Sequence, residues 1–182
     1  MRIICDFHIH SKYSRATSRE MVLEKIAEWT KYKGIDLIGT GDFTHPLWLG
    51  ELKQKLKEDG SGFLSFPNNN SPAGGLKFIL TGEVSSIYTQ GGKVRKVHTI
   101  IFSPDIKTAE KINDRLTGIG NLYSDGRPII GFSAKDLAKL VFDVNPKSLI
   151  IPAHAWTPWF SVFGSNSGFD DLKECYEELE PY

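Results

Sequence analysis

A β-α alternation begins with Arg2-Ile-Ile-Cys-Asp-Phe-His-Ile-His10, an apolar run that is typical of a strand and ends in two histidines. A helix is predicted next, entered through the capping-box pattern Thr17-Ser-Arg-Glu20 and closed at Gly34. A second strand is predicted over 35–40, and an amphipathic helix follows from about Pro46 to Lys57. Such an alternation indicates an α/β domain.

The rest of the chain continues this pattern after an insertion. Residues 59–75 are rich in Gly, Ser, Asn and Pro, which predicts an exposed loop. Gln90-Gly-Gly92 lies between two β-rich runs and predicts a hairpin. The further predicted elements are strands over 76–88, 93–102 and 148–153, and helices over 105–116, 134–144 with Ser133 as N-cap, and 169–179.

Size and composition predict one globular domain. The chain has 182 residues, 40% of them hydrophobic and 24% charged, which excludes a disordered tail. Lys plus Arg equals Asp plus Glu at 22 each, so the net charge neither requires nor excludes a nucleic-acid partner. No apolar run reaches the ~18–20 residues that cross a bilayer. We therefore expect a cytoplasmic protein without a membrane partner.

Histidines carry most of the chemical information, because imidazole is a common ligand for divalent transition metals. His8 and His10 flank one residue of an extended segment, whose period of two directs both rings to the same side. His98 lies on a predicted strand, and His154 directly follows one. A single histidine is also compatible with a polar core residue, but the pair at 8 and 10 favours metal binding.

Two carboxylates occur at similar places. Asp42 follows the second strand, at the edge of an α/β sheet where ligands bind. Glu83 lies near the end of an apolar strand, where a carboxylate without a cation is costly to bury. Taken alone, Asp42 also fits a turn and Glu83 a solvated edge. Together with the histidines, both favour zinc, manganese or iron, and paired metals suit displacement at phosphorus.

These motifs resemble, in sequential order, those of the PHP (polymerase and histidinol phosphatase) family. Asp6-Phe-His-Ile-His-Ser11 is similar to the opening H-x-H motif, and Gly39-Thr-Gly-Asp42 to the second motif, where the family usually has T-D-H. Gly82-Glu83 is similar to the bridging-glutamate motif, His98 to the third motif, and Pro152-Ala-His154 to the P-x-H segment. The chain departs from the family pattern here, because Asp42 stands where a histidine normally coordinates.

The resemblance implies a fold and a metal centre. It implies a distorted (β/α)7 PHP-type barrel over residues 1–182, incomplete in this chain because the final D-x-H motif has no counterpart after His154. What would supply the ligands of that motif stays open. Two or three divalent metals (Zn, Mn, Fe or Mg) are expected, and the implied metal ligands are His8, His10, Asp42, Glu83, His98 and His154.

Within this family the chain is similar to the endonuclease Q group of DNA repair enzymes. The likeness lies in His8-Ile-His-Ser-Lys-Tyr-Ser14 and in Pro152-Ala-His-Ala-Trp-Thr-Pro-Trp159. It implies a metal-dependent hydrolase that nicks DNA 5′ to deaminated bases or abasic sites. We expect catalytic roles for Glu83, Asp42 and Arg15, and substrate contacts from Lys12, Arg15, Trp156 and Trp159. Lys93, Arg95 and Lys96 are further candidates for phosphate contacts.

Two other functions are compatible with the sequence. The first is a small-molecule phosphomonoesterase resembling histidinol phosphatase, which would have a closed pocket and would not need the tryptophan-rich stretch. The second is a non-catalytic module that binds metal and nucleic acid or a partner. Protein partners and oligomeric state are not indicated by the sequence.

Overall fold

The structure, a computed structural model, describes residues 2–15, 17–67, 72 and 74–181. It has a mixed α/β fold. The strands are β1 (Cys5–Asp6), β2 (Leu37–Gly39), β3 (Lys57–Glu58), β4 (Leu64–Ser65), β5 (Lys77–Gln90), β6 (Lys93–Ser103), β7 (Ile129–Ile130) and β8 (Leu149–Pro152). The helices are α1 (Leu23–Lys33), α2 (Pro46–Lys55), α3 (Ile106–Thr117), α4 (Ala134–Val144) and α5 (Leu172–Tyr176), with a 3-10 turn at Glu177–Leu179.

One open sheet contains all of these strands. β1, β2 and the first part of β5 are parallel neighbours, and β5 continues as a long antiparallel hairpin with β6. β8 pairs antiparallel with β6, and β7 pairs parallel with β5. Over the described ranges β1 and β8 each pair on one side only, so the sheet is not closed. The mixed α/β class is confirmed, whereas the distorted, incomplete (β/α)7 PHP-type barrel stays a prediction.

The hairpin that carries Glu83 and His98 forms where the sequence predicts it. Gly91 and Gly92 both have positive φ, 60° and 73°, which residues with a side chain rarely adopt at the two centre positions of a tight turn. The strands pair in register from Leu80 with Ser103 to Gln90 with Lys93. Ser85 therefore lies directly opposite His98, two residues after Glu83 and on the same face of the strand.

Two local expectations were wrong. Helix α1 begins at Leu23 with Val22 as an uncapped N-cap residue, so Thr17–Glu20 does not form the predicted capping box. Part of the predicted loop 59–75 is ordered as β4, whose Leu64 is 1% exposed and pairs with Phe78 of β5. A buried leucine in this stretch outweighs the surrounding turn residues. Positions 68–71 and 73 lie outside the described residues.

The hydrophobic core supports the strand ends that carry polar side chains. Trp48 of α2 is fully buried, and its Nε1–H donates to the carbonyl oxygens of Thr40 and Gly41 at 3.2 and 2.9 Å. These bonds fix the backbone just before Asp42. Burial of a large aromatic side chain therefore positions the end of β2. Among the helices that the structure describes, none is long and apolar enough to cross a membrane.

Candidate metal centre

Glu83 lies at the centre of a cluster of four histidines. It sits within β5 and is 2% exposed. Its Oε2 lies 3.4 Å from Nε2 of His8 and 3.2 Å from Nε2 of His10. Its Oε1 lies 3.0 Å from Nδ1 of His98 and 3.2 Å from Nε2 of His154. Each carboxylate oxygen thus faces one pair of imidazoles.

These residues form two groups that share the glutamate. In each group, His8–His10–Glu83 or Glu83–His98–His154, the ligand atoms lie within 4.8 Å of one another. Three ligands with imidazole and carboxylate atoms match a catalytic metal site, which keeps a position open for water or substrate. A carboxylate that offers one oxygen to each group can bridge two cations. The donor set therefore fits two divalent transition metals.

The backbone brings the histidines together from distant parts of the chain. His8 and His10 follow β1, and His154 follows β8. His154 has a φ of 31° and Asp42 a φ of 49°, a left-handed conformation that is uncommon outside glycine. Two residues at the same edge of the sheet thus have strained backbone, which is frequent at functional sites.

Asp42 lies behind His10 and outside both three-residue groups. Its side chain is fully buried, and Oδ1 accepts a hydrogen bond from Nδ1 of His10 at 2.9 Å. Oδ2 accepts from the backbone N–H and the hydroxyl of Ser11 at 2.6 and 2.7 Å, and from the Ser14 hydroxyl at 3.0 Å. With both oxygens occupied, Asp42 has the contacts of a residue that orients a ligand.

The charge states of Glu83 and His98 favour metal binding at this cluster. Burial raises the pKa of Glu83, but hydrogen bonds from His10, His8 and His98 outweigh this and hold it well below its usual range. Burial lowers the pKa of His98 and outweighs the hydrogen bond and negative charge of Glu83, which raise it. Glu83 is therefore ionised and His98 neutral at pH 7, the states in which both bind metals.

A cavity of about 430 Å³ opens beside the cluster and is lined in part by His98 and His154. Of the predicted substrate-contacting residues, Arg15 and Trp159 line it. Lys12 instead pairs with Glu51 at 2.7 Å, and Trp156 is 81% exposed with its ring 6.1 Å from that of Phe163. The structure thus brings two of these four residues to the site.

Three neighbouring residues were missed by the sequence analysis, namely Asp125, Gly126 and Arg127. Nη1 of Arg127 lies 3.3 Å from Oε2 of Glu83. Asp125 pairs with Arg15, whose Nε is 3.3 Å from Oδ2. The turn-like run Asp125-Gly-Arg-Pro128 just before β7 is the signal that was available, but turns of this kind are common at ordinary surfaces.

Solved structures of endonuclease Q are similar to the chain over nearly its whole length. The lesion-specific endonuclease PfuEndoQ of Pyrococcus furiosus aligns with a TM-score of 0.81 and 33% identity, over 97% of this chain and 40% of that one. An endonuclease Q complex with a 27-mer duplex, which has an abasic lesion at the active site, aligns with a TM-score of 0.80 and 34% identity, over 96% and 40%. The predicted likeness to endonuclease Q is confirmed.

Sequence comparison gives a relative of unassigned function. An uncharacterised protein of Methanocaldococcus jannaschii is 32% identical over 154 residues, which are 84% of this chain and 16% of that protein. No family model matches the chain. The chain therefore spans less than half the length of each of these relatives.

Proposed function

We propose that the chain forms the metal-dependent catalytic part of a DNA repair endonuclease that cleaves a phosphodiester 5′ to a deaminated base or an abasic site. The observation that carries this proposal is Glu83, whose two oxygens each face a separate pair of histidines. The likeness to a lesion-specific endonuclease and to a complex with lesion-containing DNA supports it. The substrate is accordingly a DNA duplex with a damaged nucleotide.

The residues take distinct roles in this proposal. Glu83 and the four histidines would hold two divalent cations, Zn, Mn or Fe, with Glu83 common to both groups of ligands. Cations bound there supply Lewis-acid activation of water and neutralise charge on the phosphodiester. Asp42 holds His10 with Nε2 toward Glu83 and with a proton on Nδ1. Among the described residues there are two groups of ligand atoms, and Asp42 belongs to neither. Both of its oxygens accept hydrogen bonds, so in this proposal Asp42 orients His10.

The cavity supplies the contacts to the nucleotide. Trp159 lines the cavity and is 51% exposed. The ring of the adjacent Phe160 lies 4.7 Å from that of His98. Nζ of Lys96 is 5.2 Å from the Trp159 ring. An aromatic face beside a cation is suited to stack an extruded base while its phosphate is neutralised. Arg15, which also lines the cavity, is positioned to contact the backbone.

The test combines metal content with cleavage of defined DNA. Duplexes with one deoxyuridine, hypoxanthine or abasic site are incubated with the Mn²⁺-loaded chain and with Glu83→Gln. Glu110→Gln, a surface glutamate that pairs with Lys53, is the matched control. We expect nicking 5′ to the lesion by wild type and control, and loss of both metal and nicking in Glu83→Gln.

Other outcomes would assign another function. Hydrolysis of a simple phosphomonoester without nicking would favour a small-molecule phosphatase. Bound metal with DNA binding but no hydrolysis of either substrate would favour a non-catalytic module. Absence of metal from the wild-type chain would contradict the metal-dependent mechanism altogether.

A further inference from the structure

Two guanidinium groups line the cavity beside Glu83. Arg15 and Arg127 both line it, together with Asp125 and Ser85. The Arg127 side chain is 35% exposed and that of Arg15 78%. The cavity thus presents two permanent positive charges next to the proposed cation sites.

Asp125 holds both arginines in place. Its Oδ1 accepts from the backbone N–H of Arg127 at 3.0 Å and from that of Arg15 at 3.4 Å, while Oδ2 pairs with the Arg15 guanidinium. Asp125 is 8% exposed. The next residue, Gly126, donates its N–H to Tyr13 at 3.0 Å and accepts from the Thr44 hydroxyl at 3.1 Å. The turn that carries Arg127 is therefore anchored to two other segments.

In the described part of the chain, Glu83 is the only anionic side chain that pairs with Arg127. Nη1 of Arg127 lies 3.3 Å from Oε2 of Glu83. That oxygen is the one that faces His8 and His10. When Glu83 binds cations, its charge is neutralised, and the guanidinium then lies beside like charges. An anion bound at the same place removes this repulsion.

A buried hydroxyl in the same cavity also lacks a partner. Ser85 is 2% exposed, and its Oγ makes no hydrogen bond to the described residues. It follows Glu83 by two positions on β5, so both side chains lie on the same face of the sheet. A buried hydroxyl without a hydrogen bond is costly, and a bound oxyanion would satisfy it.

We propose that Arg127 and Ser85 form a phosphate-binding subsite beside Glu83, in which the guanidinium contacts a non-bridging oxygen and Asp125 is the positioning residue. The ligand class is a phosphate group, either that of the DNA backbone or free orthophosphate. This proposal rests on the proposed function, because it places the phosphate at the metal centre. Arginine suits such a site, since its planar donors match the oxygens of phosphate.

The experiment measures binding of inorganic phosphate to the Mn²⁺-loaded chain by isothermal titration calorimetry. Arg127→Ala, Arg127→Lys, Ser85→Ala and Asp125→Asn are compared with Arg115→Ala, a matched surface arginine on α3. We expect Arg127→Ala to weaken phosphate binding at least tenfold, with the other three site variants affected less. Arg115→Ala should not change it. Added guanidinium ion should restore phosphate binding to Arg127→Ala, which a purely structural role would not allow.

Mn²⁺ content is measured on every variant to separate the possible failures. Phosphate binding that is unchanged in Arg127→Ala with normal Mn²⁺ would overturn the subsite while leaving the proposed function intact. Loss of Mn²⁺ from Arg127→Ala would also overturn it, because the residue would then support Glu83 and not a ligand. A wild-type chain that takes up no Mn²⁺ would contradict the proposed function and the subsite together.

Discussion

His10 and Asp42 form a 2.9 Å contact between Nδ1 and Oδ1, and this contact leaves Nε2 of the same ring 3.2 Å from Oε2 of Glu83. The Asp42 carboxylate thereby holds Nδ1 of His10 and turns Nε2 toward Glu83. Outer partners of this kind typically contribute 10–100-fold to metal affinity.

Replacement of Asp42 by Asn tests this relationship. Asp42 accepts hydrogen bonds on both oxygens, so the amide nitrogen of Asn would face a donor in either orientation. We expect Mn²⁺ affinity to fall about 10–100-fold and the free energy of unfolding to fall by ~1–3 kcal/mol. Calorimetry and urea unfolding measure the two effects. Asp170→Asn, at an exposed position, is the control, and wild-type affinity in Asp42→Asn would refute the orienting role.

Gly126 should tolerate no side chain. A Cβ at this position would overlap Oδ2 of Asp42 and Oγ of Ser14. Gly126→Ala is expected to cost ~1–3 kcal/mol of unfolding free energy through overpacking and to weaken Mn²⁺ binding by displacing Asp42. Gly131→Ala has open space around its Cβ and serves as the matched control. Equal stability of the two variants would contradict the close approach seen in the structure.

The two groups of ligands predict separable metal sites. His8→Ala removes a ligand from one group and His98→Ala from the other, whereas Glu83→Ala affects both. Equilibrium dialysis followed by elemental analysis should find two Mn²⁺ per wild-type chain, one in each histidine variant and none in Glu83→Ala. Loss of both ions from His98→Ala alone would show that the sites do not fill independently.

Much of this centre was predictable because it depends on local signals. Helix α4 has the predicted bounds, since Ser133 caps it and its apolar residues recur at helical spacing. The paired histidines before α1 and the carboxylate within an apolar strand also stand out in the sequence. These signals are visible because each arises within a few neighbouring residues.

The remainder depends on contacts between distant segments. Arg127 is 44 positions from Glu83, and Asp125 is 110 positions from Arg15. Neither contact produces a periodicity or a spacing that can be recognised in the sequence. The position of the turn at 124–128 depends on how distant segments pack together and not on the residues of the turn. The structure was likewise needed to see that Asp42 contacts His10 while the four histidines face Glu83. The start of α1 was mispredicted because Thr17 and Ser18 match a capping pattern without making its hydrogen bonds.

The stability of the metal-free chain should depend on the protonation of His10. Burial lowers the pKa of His10, but hydrogen bonds to Asp42 and Glu83 outweigh burial and raise it from 6.5 to about 9. A raised pKa gives stabilisation that is fully present below pH 6.5 and is lost as the pH rises through about 9. We therefore expect the stability difference between wild type and His10→Asn to shrink between these values.

Urea unfolding in the presence of EDTA at a series of pH values measures this difference. With saturating Mn²⁺ the trend should reverse, because metal and proton compete for the histidine and metal binding strengthens as the pH rises. A stability difference that is independent of pH without metal would contradict the charged state of His10.

Trp159 should distinguish lesions that contain a base from those that do not. Its ring is half exposed at the cavity and lies close to Lys96, while the adjacent Phe160 is fixed by a hydrogen bond from the N–H of His98 to its carbonyl at 3.0 Å. Stacking of a base on an aromatic ring contributes ~1–3 kcal/mol. Trp159→Ala should therefore weaken binding to a deoxyuridine or hypoxanthine duplex by about 5–150-fold. Binding to an abasic duplex should weaken much less, since no base is present to stack.

Trp29→Ala, which removes an exposed tryptophan on α1, controls for loss of aromatic surface. Fluorescence anisotropy with labelled duplexes measures the affinities, and an equal loss on abasic and base-containing lesions would indicate that Trp159 only packs the loop against β6.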